Sequence, residues 1–181
     1  VFAPTAYVGD CSRWITHDKR FHRRPILSWD QIRCLDRSGL VEFGSHSVDH
    51  VRMSGLPAAE MRRQAVESRQ VLERVLEKPV RAFAYPYGQP GDFSEETTCC
   101  LKEAGYTAAV TTCWGTRNSA QDLLRLRRIS LSSGDDARMI RRKIDGAFDW
   151  LGWAQKGRSI VRAARRSANR PEDAFHLRSE L

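Results

Sequence analysis

The chain has 181 residues, 41% hydrophobic and 29% charged, with a formal net charge of +8. That balance describes one globular domain with a real core and excludes a disordered or fibrous chain. No apolar run approaches the roughly 20 residues that cross a bilayer.

Five cysteines (Cys11, Cys34, Cys99, Cys100, Cys113) form an odd set without a CxxC spacing, which argues against a disulfide framework or a thiolate zinc site. Reduced thiols in a cytoplasmic setting are the expectation. The chain opens at Val1 inside an apparent strand, so an upstream segment, including any signal peptide, is expected to precede it.

Five short apolar or β-branched runs recur in chain order: "VFAPTAYV", "VEFGS", "RAFAYPY", "TAAVTT" and "LRRISL". Helical patterns separate the early ones, which predicts βα units and a parallel sheet or barrel. After the first run, Ser28 should cap a helix that presents Trp29, Ile32 and Leu35 on one face and stops at Gly39. A longer helix is expected from Pro57 to just before Pro79, with Met61, Ala65, Ser68, Leu72, Val75 and Leu76 as its buried stripe. A third follows Ser94 and closes at Gly105, with one of the adjacent Cys99 and Cys100 in the core and the other at its edge. Beyond "LRRISL" the pattern predicts one or two helices with Met139, Ile140 and Ile144 facing inward. A domain over residues 1–148 would then be followed by a basic helix and tail over 149–181.

Candidate chemistry lies at two strand ends. In "FGSHSVDH", His46 and His50 are four residues apart. On a straight strand their Cα atoms would be roughly 13 Å apart, whereas a helical turn closes the gap to about 6 Å. Shared coordination therefore requires the backbone to curl after the strand, with Gly44 permitting a sharp exit. Parallel α/β folds place their sites at such strand ends. Two loop histidines with no ligand role are the plain alternative. About 35 residues on, "RAFAYPYG" ends a neighbouring strand. Arg81 near its start is expected to be buried and to need a carboxylate partner, and Tyr85 and Tyr87 flank a rigid proline, Pro86.

Together, these segments resemble the polysaccharide deacetylase family, the NodB-homology or carbohydrate esterase family 4 domain. "SHSVDH" matches an H-[ST]-x-x-H motif through His46 and His50. "RAFAYPYG" matches R-x-x-x-[YF]-P-[YFW]-G through Arg81, Tyr85, Pro86, Tyr87 and Gly88. The resemblance covers roughly residues 1 to 148. It implies an α/β fold, a distorted (β/α) barrel incomplete at its N-terminus. The implied activity removes N-acetyl groups from amino sugars of a polysaccharide or glycan precursor, using a divalent metal, commonly zinc. By this resemblance His46 and His50 would be the metal ligands, the backbone N–H of Tyr87 would hold the oxyanion and Arg81 would orient a catalytic carboxylate. Tyr85, Pro86, Tyr87 and Trp114 are the candidates for contact with the carbohydrate.

Two family motifs are not found in the chain. T-F-D-D-G, which supplies the general base and a carboxylate ligand, would lie on a strand before the first one here, and neither Asp10 nor Asp49 is in the matching position. The late L-x-x-H motif, source of a general acid, has no counterpart, since the only histidine after Arg81 is His176 in the tail. Weak metal binding and loss of activity in the chain as given are therefore expected, with a catalytically silent carbohydrate-binding barrel as the rival reading. A nucleic-acid or anionic-surface binder is suggested by the charge of +8 and the stretch "RAARRSANR", but no aromatics are interleaved with those arginines.

Overall fold

The computed structural model describes residues 1–12 and 23–158. Strand β1 (Phe2–Ala3) runs into a 3-10 turn (Thr5–Tyr7), followed by α1 (Trp29–Arg37), β2 (Gly44–Ser45), α2 (Ala58–Leu76), β3 (Ala82–Ala84) and α3 (Glu95–Glu103). Then come β4 (Ala108–Trp114), a second 3-10 turn (Leu123–Arg125), β5 (Leu126–Arg128) and α4 (Ala137–Ile144). Residues 150–158 form a further helix, α5. The strands make one parallel sheet in the order β1-β2-β3-β4-β5. Every strand therefore ends on the same edge of the sheet.

Each predicted run contributes a strand; four are shorter than their apolar pattern, while β4 extends two residues beyond its run to Trp114. Pro4 has no N–H to offer a ladder, and the chain winds into the 3-10 turn directly after it. Thr5 and Ala6 then donate to the carbonyls of Ser47 and Val48 at 3.2 and 3.0 Å, which ties the end of β1 to the loop after β2. Gly44 has a different role from the expected sharp exit. A Cβ there would lie 2.7 Å from the Phe2 ring and 2.8 Å from the Ala82 carbonyl oxygen, so its missing side chain lets β1 and β3 close on β2 from either side.

The helix signals are accurate. Ser28 accepts from the Gln31 N–H while the Gln31 side chain accepts from the Ser28 N–H, a complete capping box. Ser94 caps α3 in the same manner with Thr97. The buried stripe of α2 contains Met61, Ala65, Ser68, Leu72 and Leu76, with Val75 half-buried beside them. Gln64 is also fully buried there, which an apolar reading of the stripe does not predict. Cys100 packs against the core and Cys99 is exposed. Met139 and Ile140 are half-buried, but Ile144 is 55% exposed, contrary to expectation. Lys143 takes the inward position instead, paired with the half-buried Asp135 and bonded to the Ser130 carbonyl at 2.9 Å.

α5 lies at the start of the 149–181 stretch, and residues 159–181, with His176 and the basic sequence, lie outside the described residues.

The core centres on Phe83, whose ring meets Tyr85 and Tyr106 edge-on at 5.5 and 5.2 Å. Tyr106 is 2% exposed and donates to the Ala65 carbonyl at 2.9 Å. Burial pushes its phenol up to about 12. The unfolded chain releases this proton first, so the contribution is complete below about pH 10 and is lost as the pH rises through about 12, with a magnitude of about 3 kcal/mol. Denaturant midpoints compared at about pH 9 and about pH 12 should show this loss, and Tyr106→Phe should reduce it.

Candidate active site

The loop after β2 performs the curl that the histidine spacing requires. Ser47 and His50 both sit in the left-handed region, with φ of 65° and 52°, and the Ser47 hydroxyl accepts from the His50 N–H at 3.0 Å. The two imidazole rings come to a centroid separation of 4.8 Å, nearly perpendicular at 78°.

Gln64 holds this loop from beneath. Its Oε1 accepts from the N–H groups of Val48 and Asp49 at 2.9 and 3.0 Å, and its Nε2 donates to Asp49 and Glu60 at 2.7 and 2.8 Å. Every polar valence of this buried amide facing the loop is thus used. Asp49 also pairs with Arg63, so its carboxylate is committed to α2.

The electrostatics keep the pair neutral. Burial lowers the pKa of His46, its hydrogen bond to the Ala84 carbonyl raises it, and the positive charge of Arg128 lowers it further; the net direction is down. Burial and the neighbouring His46 push His50 down to about 4. The 2.7 Å contact between His46 Nδ1 and the Ala84 carbonyl oxygen requires the proton on Nδ1, because a carbonyl only accepts. Nε2 of His46 therefore carries a lone pair, the state in which imidazole binds a metal, and its ring is oriented by a backbone carbonyl as metal-binding histidines commonly are. Two neutral imidazoles in contact fit two positions of a divalent-metal site. Among the described residues, no group of three or more His, Cys, Asp or Glu is arranged to hold a metal ion.

Tyr87 completes the cluster. Its ring packs edge-on against His50 at a centroid distance of 5.0 Å, and its backbone is left-handed with φ of 61°. Its N–H donates no hydrogen bond among the described residues, and its carbonyl accepts from the Thr112 hydroxyl at 2.6 Å. Gly88 follows at φ of 63°, where a Cβ would fall 2.9 Å from the Thr112 nitrogen, so only glycine passes this close to β4. On the outer side the Arg52 guanidinium lies 4.2 Å above the Tyr87 ring, fixed by a 2.8 Å bond from its Nε to Asp92.

His46, His50 and Tyr87 are thus brought together, and the other candidates are not. Arg81 is exposed just before β3, opposite the strand ends that carry the histidines, and no described carboxylate pairs with it. Its expected burial fails because β3 begins only at Ala82. Tyr85 and Pro86 face the core and offer no surface to a sugar. Tyr85 stacks on Phe93 at 4.6 Å and donates to the Leu124 carbonyl at 2.9 Å. Trp114 is half-buried at the end of β4, two strands from His46, with its ring against Phe148. Tyr85→Phe should accordingly cost about 1–2 kcal/mol of stability through the lost hydrogen bond, with no change in glycan affinity. Urea titration and a binding isotherm on the same sample check both halves.

Gln64, Arg52 and Asp92 were not singled out by sequence reasoning. Only Gln64 left a signal, a polar residue on the buried stripe of α2.

The model of the family described as polysaccharide deacetylase matches residues 2–109. YxkH of Bacillus subtilis (strain 168), whose name places it among the polysaccharide deacetylases, is 25% identical over 108 residues, covering 60% of this chain and 37% of that protein. The structure of the Streptococcus pyogenes deacetylase PplD in complex with acetate superposes with a TM-score of 0.61 at 22% identity, covering 66% of this chain and 51% of PplD. IcaB from Ammonifex degensii gives 0.55 at 23% identity over 85% of this chain and 60% of its own. These likenesses in structure establish the distorted barrel type of fold, and the chain spans about two fifths to about half the length of the first two of these relatives. A family match that runs from β1 into β4 takes in both the histidine loop and the Tyr-Pro-Tyr bend, and on that ground the chain belongs to the polysaccharide deacetylase family.

Proposed function

We propose that this site hydrolyses the acetamide of N-acetylated amino sugars in a polysaccharide or glycan precursor with the help of a divalent metal. The observation that carries the reading is the convergence of two neutral imidazoles, one with its tautomer fixed by the Ala84 carbonyl, against the ring of Tyr87, whose N–H donates no hydrogen bond among the described residues. His46 and His50 would hold the metal, with zinc the expected ion. Bound there, a divalent metal supplies Lewis acidity towards the amide carbonyl and makes water a better nucleophile near neutral pH.

In the overall reaction water adds its oxygen to the carbonyl carbon and the C–N bond breaks. Acetate leaves, and the amine takes up a proton. The Tyr87 N–H is suited to stabilise the oxygen that becomes negative as the carbonyl carbon turns tetrahedral. Arg52 holds the Tyr87 ring, and Asp92 holds Arg52, so the bend that presents this N–H is braced from the solvent side. Asp49 and Asp92 are each tied to an arginine, which disfavours both as the general base.

Acetate release from oligomers of N-acetylglucosamine, with added zinc and with EDTA, is the test. Release that EDTA stops and metal restores is the expected result. Glycan binding that EDTA leaves intact, with no acetate formed under any metal, would replace this reading with the carbohydrate-binding barrel. That second reading is favoured by the two-histidine ligand set among the described residues.

A further inference from the structure

A second opening lies on the same edge of the sheet, a groove of about 680 Å³ between the segment after β4, β5 and α5. Among the residues of α5 that line it, Trp150, Trp153 and Lys156 follow a spacing of three. That spacing puts them on one helix face, with neighbouring Cβ atoms about 5–6 Å apart. Trp150 is 62% exposed and Trp153 is 81% exposed.

These indoles are not the loose face of an undocked helix. The opposite side of α5 is bound to β4 through specific contacts: Gln155 accepts from the Trp114 N–H at 2.7 Å and donates to the Thr112 carbonyl at 3.2 Å. Just ahead of α5, Asp149, which also lines the groove, accepts from both the N–H and the hydroxyl of Thr116, at 3.0 and 2.9 Å. At Gly152 a Cβ would lie 2.4 Å from the Trp114 carbonyl oxygen, so the helix backbone lies directly against the strand end. The register of α5 is therefore fixed, and it holds the two tryptophans outward.

The charges complement a specific ligand. Arg117, Arg127 and Lys156 line the groove and pair with no described carboxylate. Of the two carboxylates present, Asp149 is engaged by Thr116 and Asp145 by Arg141. Three cations against two carboxylates leave a single net positive charge, which suits a monoanion. A polyanionic strand would meet the two carboxylates unfavourably.

We infer that this groove binds a polysaccharide segment carrying a uronate, with pyranose faces on Trp150 and Trp153 and the carboxylate on the Arg117 and Arg127 guanidiniums. Guanidinium presents paired donors that match a carboxylate. The groove begins at the end of β4, two strand spacings, about 10 Å, from the end of β2 that carries His46. A chain held in the groove can therefore run along the strand ends to the histidine pair. The binding itself does not depend on hydrolysis.

The test uses a xylo-oligosaccharide bearing a single glucuronate, which has one carboxylate and no acetamide, titrated by calorimetry into the protein in EDTA, beside the same oligosaccharide without the uronate. Binding of the uronate at least about tenfold tighter than the neutral sugar is expected, with a loss of about tenfold or more in Trp153→Ala and again in Arg117→Gln. Equal affinity for the two sugars, no measurable uronate binding, or unchanged affinity in both variants would overturn the inference. So would self-association by sedimentation that Trp153→Ala abolishes, or tighter binding of single-stranded DNA than of uronate. Failure of acetate release leaves these outcomes untouched, so the two readings fall separately.

Discussion

His46→Ala and His50→Ala should each lower affinity for zinc by about 100-fold or more, because losing even an outer partner of a ligand costs up to about that much. The physical basis is the neutral state of both rings. No proton has to be displaced near neutral pH before either lone pair can be used. The unsubstituted chain is expected to bind zinc weakly, since two described histidines fall short of the three protein ligands usual in catalytic sites. Calorimetric titration with zinc, accompanied by thermal unfolding to show that each variant is folded, checks this. Equal affinity in the parent and both variants would remove the pair from any metal site.

Gln64→Ala should destabilise the protein by about 4 kcal/mol and disperse the histidine pair. The substitution strips two backbone N–H groups of their acceptor and the Asp49 carboxylate of a donor, and it leaves a cavity under the loop. The left-handed residues Ser47 and His50 then lose the contact that offsets their unfavourable backbone conformation. Gln64→Glu is a sharper probe of the same idea. It keeps an acceptor for the two N–H groups but sets a carboxylate against Asp49 and Glu60, so zinc affinity should fall less than in Gln64→Ala while stability still drops. Chemical denaturation and zinc titration of both variants read the two effects apart. A stability change under about 1 kcal/mol in Gln64→Ala would mean that the loop holds its shape without this amide.

Much of the framework was legible in the chain because it is governed by local rules. Ser28 and Ser94 announce helix starts, since a hydroxyl there satisfies a backbone N–H that the helix leaves open. The long stripe from Met61 to Leu76 repeats at helical spacing because one face must leave water. The alternation of apolar runs with helices was enough for a parallel sheet. His46, His50 and Tyr87 carried their chemistry in residue type and spacing, and the fold brings them into contact.

The errors arose where neighbours in space outweighed neighbours in sequence. Arg81 reads as part of a strand by its place in "RAFAYPYG", yet pairing begins one residue later and leaves its side chain in water. Tyr85 and Pro86 carry the chemistry of a sugar platform, but two-residue alternation along β3 turns Tyr85 to the Phe83 and Phe93 side of the sheet. Ile144 yields its inward place to Lys143 because Asp135, eight residues back, waits there as a partner.

By itself the sequence determined the order of strands and helices, the helix caps and the identity of the histidine pair, since each depends on contacts within a few residues. Only the tertiary structure decided that Gln64 shapes the loop from α2, that the Ala84 carbonyl selects the His46 tautomer, and that α5 turns two tryptophans outward beside Arg117 and Arg127. Those facts rest on pairings between residues that are far apart in the chain, and packing alone brings them within bonding distance.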